Sequence, residues 1–364
     1  MRFTKMAGFL AAAAAVAMIG TGAVMAEEGG PISVCIITSS GIDDGSFNQD
    51  CYNGILTFID EHDDCTVTDI KESDYNELIP TVEKSVGDYD VFVLPGFNFA
   101  GIGDIAQDNP DKKFLVVDST ITDSEGNPVT LDNVYTMTFK EQEGGFLAGV
   151  AAALTTQTGK VAVVNGMPFP SNVNYELGFM SGVAYANENY GAEAECVELP
   201  SYAGTDLFGN DVGGNYTGDF VDESLGKVVG EALIDEGCDI IFVAAGASGN
   251  GVFTAAKEAD GVYVIGCDVD QFDDGVNGDS NIILTSSLKV MHSNVERQLE
   301  NIYDGTFVGE DALLGADTDS TGIVTEEGRH QMDDGVVEKL NECYEMIKSG
   351  DIVQASQEDF KGLK

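Results

Sequence analysis

Acidic, amide and aromatic side chains recur in a few short polar segments of this chain, in combinations suited to holding a small polar molecule. In GIDDGSFNQ (residues 41–49), Asp44 can accept hydrogen bonds, Asn48 can both accept and donate, and Phe47 offers an aromatic face between them. A plainer reading is open for the same segment, with Asp44 or Ser46 capping a helix that starts near Asn48; the two roles can coexist. Asp118 in VDST suits a polar contact or a turn equally well. Phe220, in GDFVDESLGK, stands just ahead of a helical stretch, either as an exposed aromatic face or as an anchor in that helix's core. Gly246 in AAGASGNG permits close backbone approach, and Asp268 in GCDVDQF and Lys289 in TSSLK add a carboxylate and an ammonium group.

Catalytic patterns are thin by comparison. The three histidines, His62, His292 and His330, lie in no nucleophile or metal motif, and Ser248 in GASGN lacks the G-x-S-x-G elbow. Asp317, Asp319, Thr321 and Gly322 imitate the start of a calcium loop, but Gly328 stands where the bidentate glutamate is needed, so an Asp-rich turn is the better reading. Gly246, Gly249 and Gly251 miss the dinucleotide spacing, and no P-loop lysine follows them. Neither a metal nor a cofactor is expected.

The elements that must position these residues alternate. Short runs rich in Val, Ile and Phe at residues 32–38, 91–94, 114–117, 160–164, 240–244 and 262–267 are nearly continuous in apolar character, as strands covered on both faces are. Helical stretches at 48–61, 75–85, 144–155, 175–189, 224–236 and 251–258 separate them. That order predicts α/β architecture with doubly wound parallel sheets. The series restarts near Lys160, giving two lobes: residues 31–142 plus a return at 286–305, and residues 143–285 plus 306–364. Polar stretches at 122–133 and 204–218 read as surface loops, and no low-complexity linker divides the halves, so direct chain crossings should join the lobes. The polar motifs follow predicted strands, where open α/β sheets collect ligands.

Residues 1–26 have the pattern of a signal peptide, with Arg2 and Lys5 before an Ala-rich apolar run and small residues up to Ala26. Export to the periplasm or cell surface is the expectation, and the leader contains no cysteine for lipid attachment. Removing 26 residues from 364 leaves 338, a length that favours two domains at about 100–200 residues each. The chain carries 63 acidic residues against 17 basic ones, a net charge of −46, and losing Arg2 and Lys5 makes it more negative still. Nucleic acid and anionic membranes are repelled by such a surface. The seven cysteines include no C-x-x-C pair, and Cys35 and Cys267 sit in apolar runs as small buried hydrophobes.

GIDDGSFNQ, EGGFLAGVAAAL (143–154), GKVAVVNG (159–166), AAGASGNGV, VIGCDVDQ and TSSLK, in this order and spacing, resemble the successive motifs of the basic membrane protein family of purine nucleoside receptor A-like solute-binding proteins. The resemblance covers nearly the whole chain after the leader. It implies a periplasmic-binding-protein type I fold, two lobes joined by a hinge of several crossings, and a monomeric receptor that delivers purine nucleosides such as guanosine, inosine or adenosine to an ABC permease. It also implies ligand-stacking roles for Phe47 and Phe220, ribose contacts for Asp268 and Lys289, and further contacts from Asp44, Asn48, Asp118 and Gly246. Lys289 would then offset the charge of Asp268, whose two oxygens suit neighbouring hydroxyls. Gly45 replaces a basic residue usual in the family, and Ala247 replaces a glycine. The alternatives are a type I binding protein for a sugar, a ligand-sensing module, or, more distantly, a nucleoside hydrolase using Asp268 and Asp270.

Overall fold

The computed structural model describes residues 30–357, so the leader read at 1–26 lies outside the described residues. The first lobe opens with β1 (Ser33–Thr38), α1 (Phe47–Glu61), β2 (Thr66–Lys71), α2 (Leu78–Ser85), β3 (Val91–Pro95), α3 (Gly103–Asp108), β4 (Lys113–Val117) and β5 (Val134–Phe139). The second contains α4 (Glu141–Thr155), β6 (Lys160–Asn165), α5 (Pro170–Tyr190), β7 (Glu195–Cys196), α6 (Glu223–Asp235), β8 (Ile240–Ala244), α7 (Gly246–Glu258), β9 (Tyr263–Gly266) and β10 (Ile283–Lys289). The chain then runs through α8 (His292–Tyr303), β11 (Glu310–Leu314), β12 (Thr321–Ile323) and α9 (Asp334–Ser349).

Each lobe is built on a six-stranded sheet, ordered β2-β1-β3-β4-β5-β11 in the first and β7-β6-β8-β9-β10-β12 in the second. All pairings are parallel except β10 with β12. The interior strands VFVLP and IIFVA are buried along their whole length because helices cover both faces. Alternation along β1 divides its side chains between two cores. Val34 and Ile36 pack with Phe58 of α1 and Val295 and Leu299 of α8, while Cys35 and Ile37 pack with Leu78 and Val82 of α2. In the second lobe Val161 and Val163 meet Phe146, Phe179 and Leu340, and Ala162 and Val164 meet Val229, Leu233 and Val252. This is a periplasmic-binding-protein type I fold.

The return to the first lobe differs from the sequence expectation. TSSLK is part of β10 rather than a loop beyond a strand, so residues 286–289 stay in the second sheet. Chain from Met291 to Leu314 re-enters the first lobe, and β11 completes its sheet from Glu310 opposite Tyr135 to Leu314 opposite Phe139. β11 reads EDALL, too short and too polar to resemble a core strand, which hides it in the sequence. Among the described residues three segments cross between lobes, 139–141, 289–292 and 314–321. They are bonded to one another. Lys140 N–H donates to the Leu314 carbonyl at 2.8 Å, and Val290 N–H to that of Ser320 at 2.9 Å. The buried Glu143 carboxylate accepts from Ala316 N–H and the Thr321 hydroxyl, both at 2.6 Å. The Asp-rich stretch around Asp317 is thus a hinge segment.

Helix α4 is apolar on nearly every side and lies against α5 backbone to backbone. Gly145 and Gly149 leave no room for a β-carbon against the carbonyls of Tyr175 and Phe179, and Gly178 and Gly182 do the same against Gln142 and Phe146. Among the described residues no helix is long and apolar enough to cross a membrane, and no group of His, Cys, Asp or Glu could hold a metal ion.

Candidate ligand-binding cleft

A cavity partly open to solvent lies between the lobes. All eight residues singled out in the sequence line it: Asp44, Phe47, Asn48, Asp118, Phe220, Gly246, Asp268 and Lys289. Strand ends in both lobes place them there. Asp44, Phe47 and Asn48 follow β1, Asp118 follows β4, Gly246 follows β8, Asp268 follows β9, and Lys289 ends β10.

Lys289 is the centre of the polar end. Its ammonium lies 2.7 Å from Asp118 and 3.8 Å from each of Glu141 and Asp268, with 2% of the residue exposed. Burial by itself would lower the lysine's pKa, but the three carboxylates outweigh it and hold the pKa above the usual value. Burial also pushes Glu141 up to about 7, against the pull of Lys289. The charge compensation of Asp268 by Lys289 expected from the sequence is present at 3.8 Å, beside a shorter contact to Asp118, which sits at a bend and pairs with the lysine as well. Asp118 and Asp268 both have positive φ, 64° and 71°, a backbone region that costs energy outside glycine and persists where surroundings enforce it. One carboxylate oxygen of Asp118 is buried with no hydrogen-bond partner. Asp268 accepts from the Tyr175 hydroxyl at 3.1 Å and from the Ser46 hydroxyl at 2.9 Å.

Asp44 is a helix cap. Its carboxylate accepts from the backbone N–H groups of Ser46, Asn48 and Gln49 at 3.0–3.1 Å, so its lone pairs are largely committed to the first turn of α1. The Asn48 amide donates to the Ser40 hydroxyl at 2.7 Å. The Lys289 ammonium sits 4.8 Å from the centre of the Phe47 ring. Phe220 continues a row of rings, 5.9 Å from Phe169, which lies 5.6 Å from Phe97 of the other lobe. Gly166 leaves room for the Phe220 ring, where a β-carbon would overlap it. Gly246 has φ of 53°, and a β-carbon on it would come within 3.3 Å of the Phe220 carbonyl. The glycine therefore seats Phe220 as well as opening the end of β8 to the cavity.

A sequence model of the family described as ABC transporter substrate-binding protein, PnrA-like (Bmp), matches residues 32–198 and 210–357. This chain belongs to that family. A Listeria monocytogenes relative of this PnrA-like protein, named CD4+ T-cell-stimulating antigen, is 31% identical over 341 residues, covering 88% of this chain and 87% of the relative. A Lactococcus lactis subsp. cremoris relative, named ABC transporter nucleoside-binding protein BmpA, is 28% identical over 298 residues, covering 76% of this chain and 77% of the relative. In structure, an ABC transporter solute-binding protein from Aeropyrum pernix K1 matches with a TM-score of 0.73 at 24% identity, over 90% of this chain and 94% of that one.

Several lining residues escaped the sequence reading. Phe97 follows β3 at the same kind of strand end as the motifs that were noticed, and Phe169 immediately precedes α5. Tyr175 is hidden inside a helical stretch, and Glu141, which reaches Lys289 rather than the cavity wall, lies three positions before the segment read as the start of α4. Only the strand-end rule offered a signal, and only for Phe97.

Proposed function

We propose that this PnrA-like protein is the extracytoplasmic receptor of an ABC importer and binds purine nucleosides in the cleft between its lobes. The observation that carries the reading is one cavity that combines aromatic residues of both lobes, Phe47 and Phe220, with a buried carboxylate–lysine cluster. A nucleoside offers a flat base for the rings and neighbouring ribose hydroxyls for Asp268 and Lys289. Base stacking on an aromatic ring contributes roughly 1–3 kcal/mol, so two rings account for a large part of the ~8 kcal/mol of micromolar binding. The name of the Lactococcus lactis relative points the same way. Lys289 is the one cation among the described lining residues and is held by carboxylates, which suits an uncharged ligand better than a phosphorylated one.

The role is capture and delivery by a monomer, without catalysis. No histidine lines the cavity among the described residues, and the buried Ser248 hydroxyl donates to the carbonyls of Ala245 and Asp219 rather than to a base. Ligand contacts from both lobes favour the closed state, the form presented to the permease. The leader pattern at 1–26 supports export.

Isothermal titration of ligand-stripped protein with guanosine, inosine, adenosine, cytidine and ribose tests the reading. A purine nucleoside should bind at micromolar affinity or better, without release of free base. Asp268→Ala should weaken nucleosides more than free bases, and Phe47→Ala should weaken purine binding by about tenfold, as expected for loss of one stacking face. Binding of ribose or another sugar alone would transfer the protein to the sugar-receptor reading.

A further inference from the structure

Ser46 occupies the N-cap position of α1, where serine is a favoured residue because its hydroxyl can accept from the first turn. It makes no such bond. Asp44, two residues earlier, already accepts from Ser46, Asn48 and Gln49 N–H. The Ser46 hydroxyl is thereby free to turn across the cleft, where it contacts Asp268 Oδ2 at 2.9 Å and the Cys267 carbonyl at 3.3 Å. Ser46 is 5% exposed, and the contact joins residues 222 positions apart. Beside it, the Gln271 side-chain amide donates to the Gly45 carbonyl at 3.4 Å, a second link between the same two strand-end loops. Gln271 is anchored in its own lobe, since its side-chain oxygen accepts from Cys267 N–H at 3.0 Å and its N–H donates to the Ser286 hydroxyl at 3.1 Å.

We propose that Ser46 is a closure clasp, a positioning residue that ties the first lobe to Asp268 of the second and so couples occupancy of the cleft to the approach of the lobes. The proposal rests on the reading above that the cleft closes on a ligand held at Asp268. Each carboxylate oxygen has two acceptor sites, so Asp268 can serve a ligand hydroxyl, Tyr175 and Ser46 together. The Ser46 contact exists only when the lobes meet. It therefore stabilises the closed state selectively, which is the requirement for shifting a two-state equilibrium. Because Asp44 does the capping, removal of the Ser46 hydroxyl should act on closure without unfolding α1.

Three variants test this, with thermal unfolding, small-angle X-ray scattering of ligand-free protein and guanosine dissociation as readouts. Ser46→Ala should keep the wild-type melting temperature and release guanosine about tenfold faster at an unchanged association rate, the size expected for a hydrogen bond to a charged group. Ser46→Thr keeps the hydroxyl and should restore slow release. Ser46→Asp retains a good cap but places a carboxylate against Asp268, so it should remain folded yet give a larger radius of gyration than wild type without ligand. The proposal is overturned if Ser46→Ala melts at a lower temperature with unchanged release, or if Ser46→Asp is as compact as wild type. Failure of wild type to bind guanosine would remove the nucleoside reading alone, and the ligand-free scattering would still decide the clasp.

Discussion

Glu176 and Lys289 are buried ionisable side chains with opposite surroundings. Glu176 accepts from the Tyr216 hydroxyl at 2.6 Å, its other oxygen has no hydrogen-bond partner, and burial pushes its pKa to about 7. The folded state then holds a proton that the unfolded chain has released, so this residue's contribution to stability falls as pH rises from the ordinary glutamate range to above 7. Moving from 4.5 to about 7 corresponds to a loss of roughly 3 kcal/mol. Glu176→Gln should remove that share of the pH dependence and be more stable than wild type at pH 8, as read by urea unfolding at pH 5 and pH 8; an unchanged pH profile would contradict it. Lys289→Met strands Asp118, Glu141 and Asp268 without their cation, and loss of one partner from a buried ion pair costs about 3–5 kcal/mol. The loss should be largest at neutral pH and shrink in acid as Asp118 and Glu141, both raised by burial, take up protons. An equal loss at pH 5 and pH 8 would refute the electrostatic account of Lys289.

Elements were legible where one strand sits between two helical layers. β3 and β8 announce themselves as continuous apolar runs, because both of their faces are buried. β2 and β11 do not, since edge strands carry polar side chains on an exposed face. Residue types and strand ends located the cleft, but partnerships within it depend on long-range pairing. Nothing local to Lys289 indicates Asp118, 171 residues away, and nothing in GIDDGSFNQ says that Asp44 rather than Ser46 caps α1. The glycines of α4 and α5 were visible as residues, but their purpose, letting two backbones touch, required the packed pair. Gly149→Ala forces a methyl group into the Phe179 carbonyl and should cost about 1–3 kcal/mol, as overpacked cores do. Chemical denaturation measures it, and a stability equal to wild type would show that the helices can separate freely.

At the scale of the whole molecule, the net charge of −46 sets a background of self-repulsion over both lobes. Salt shortens the screening length from about 10 Å at 0.1 M to about 3 Å at 1 M, so the melting temperature should rise between those concentrations. A fall would mean that attractive surface pairs outweigh the repulsion. Inside the cleft the same sign of charge is arranged for selection. Asp44, Asp118 and Asp268 line the cavity with Lys289 already engaged, which under the proposed function favours hydroxyls and an aromatic base over phosphate. The most direct measurement is calorimetric titration of ligand-stripped protein with guanosine and with guanosine 5′-monophosphate in the same buffer. Micromolar or tighter binding of the nucleoside with no detectable binding of the nucleotide is the predicted result. Equal binding of both, or of neither, would contradict a cleft built for uncharged nucleosides.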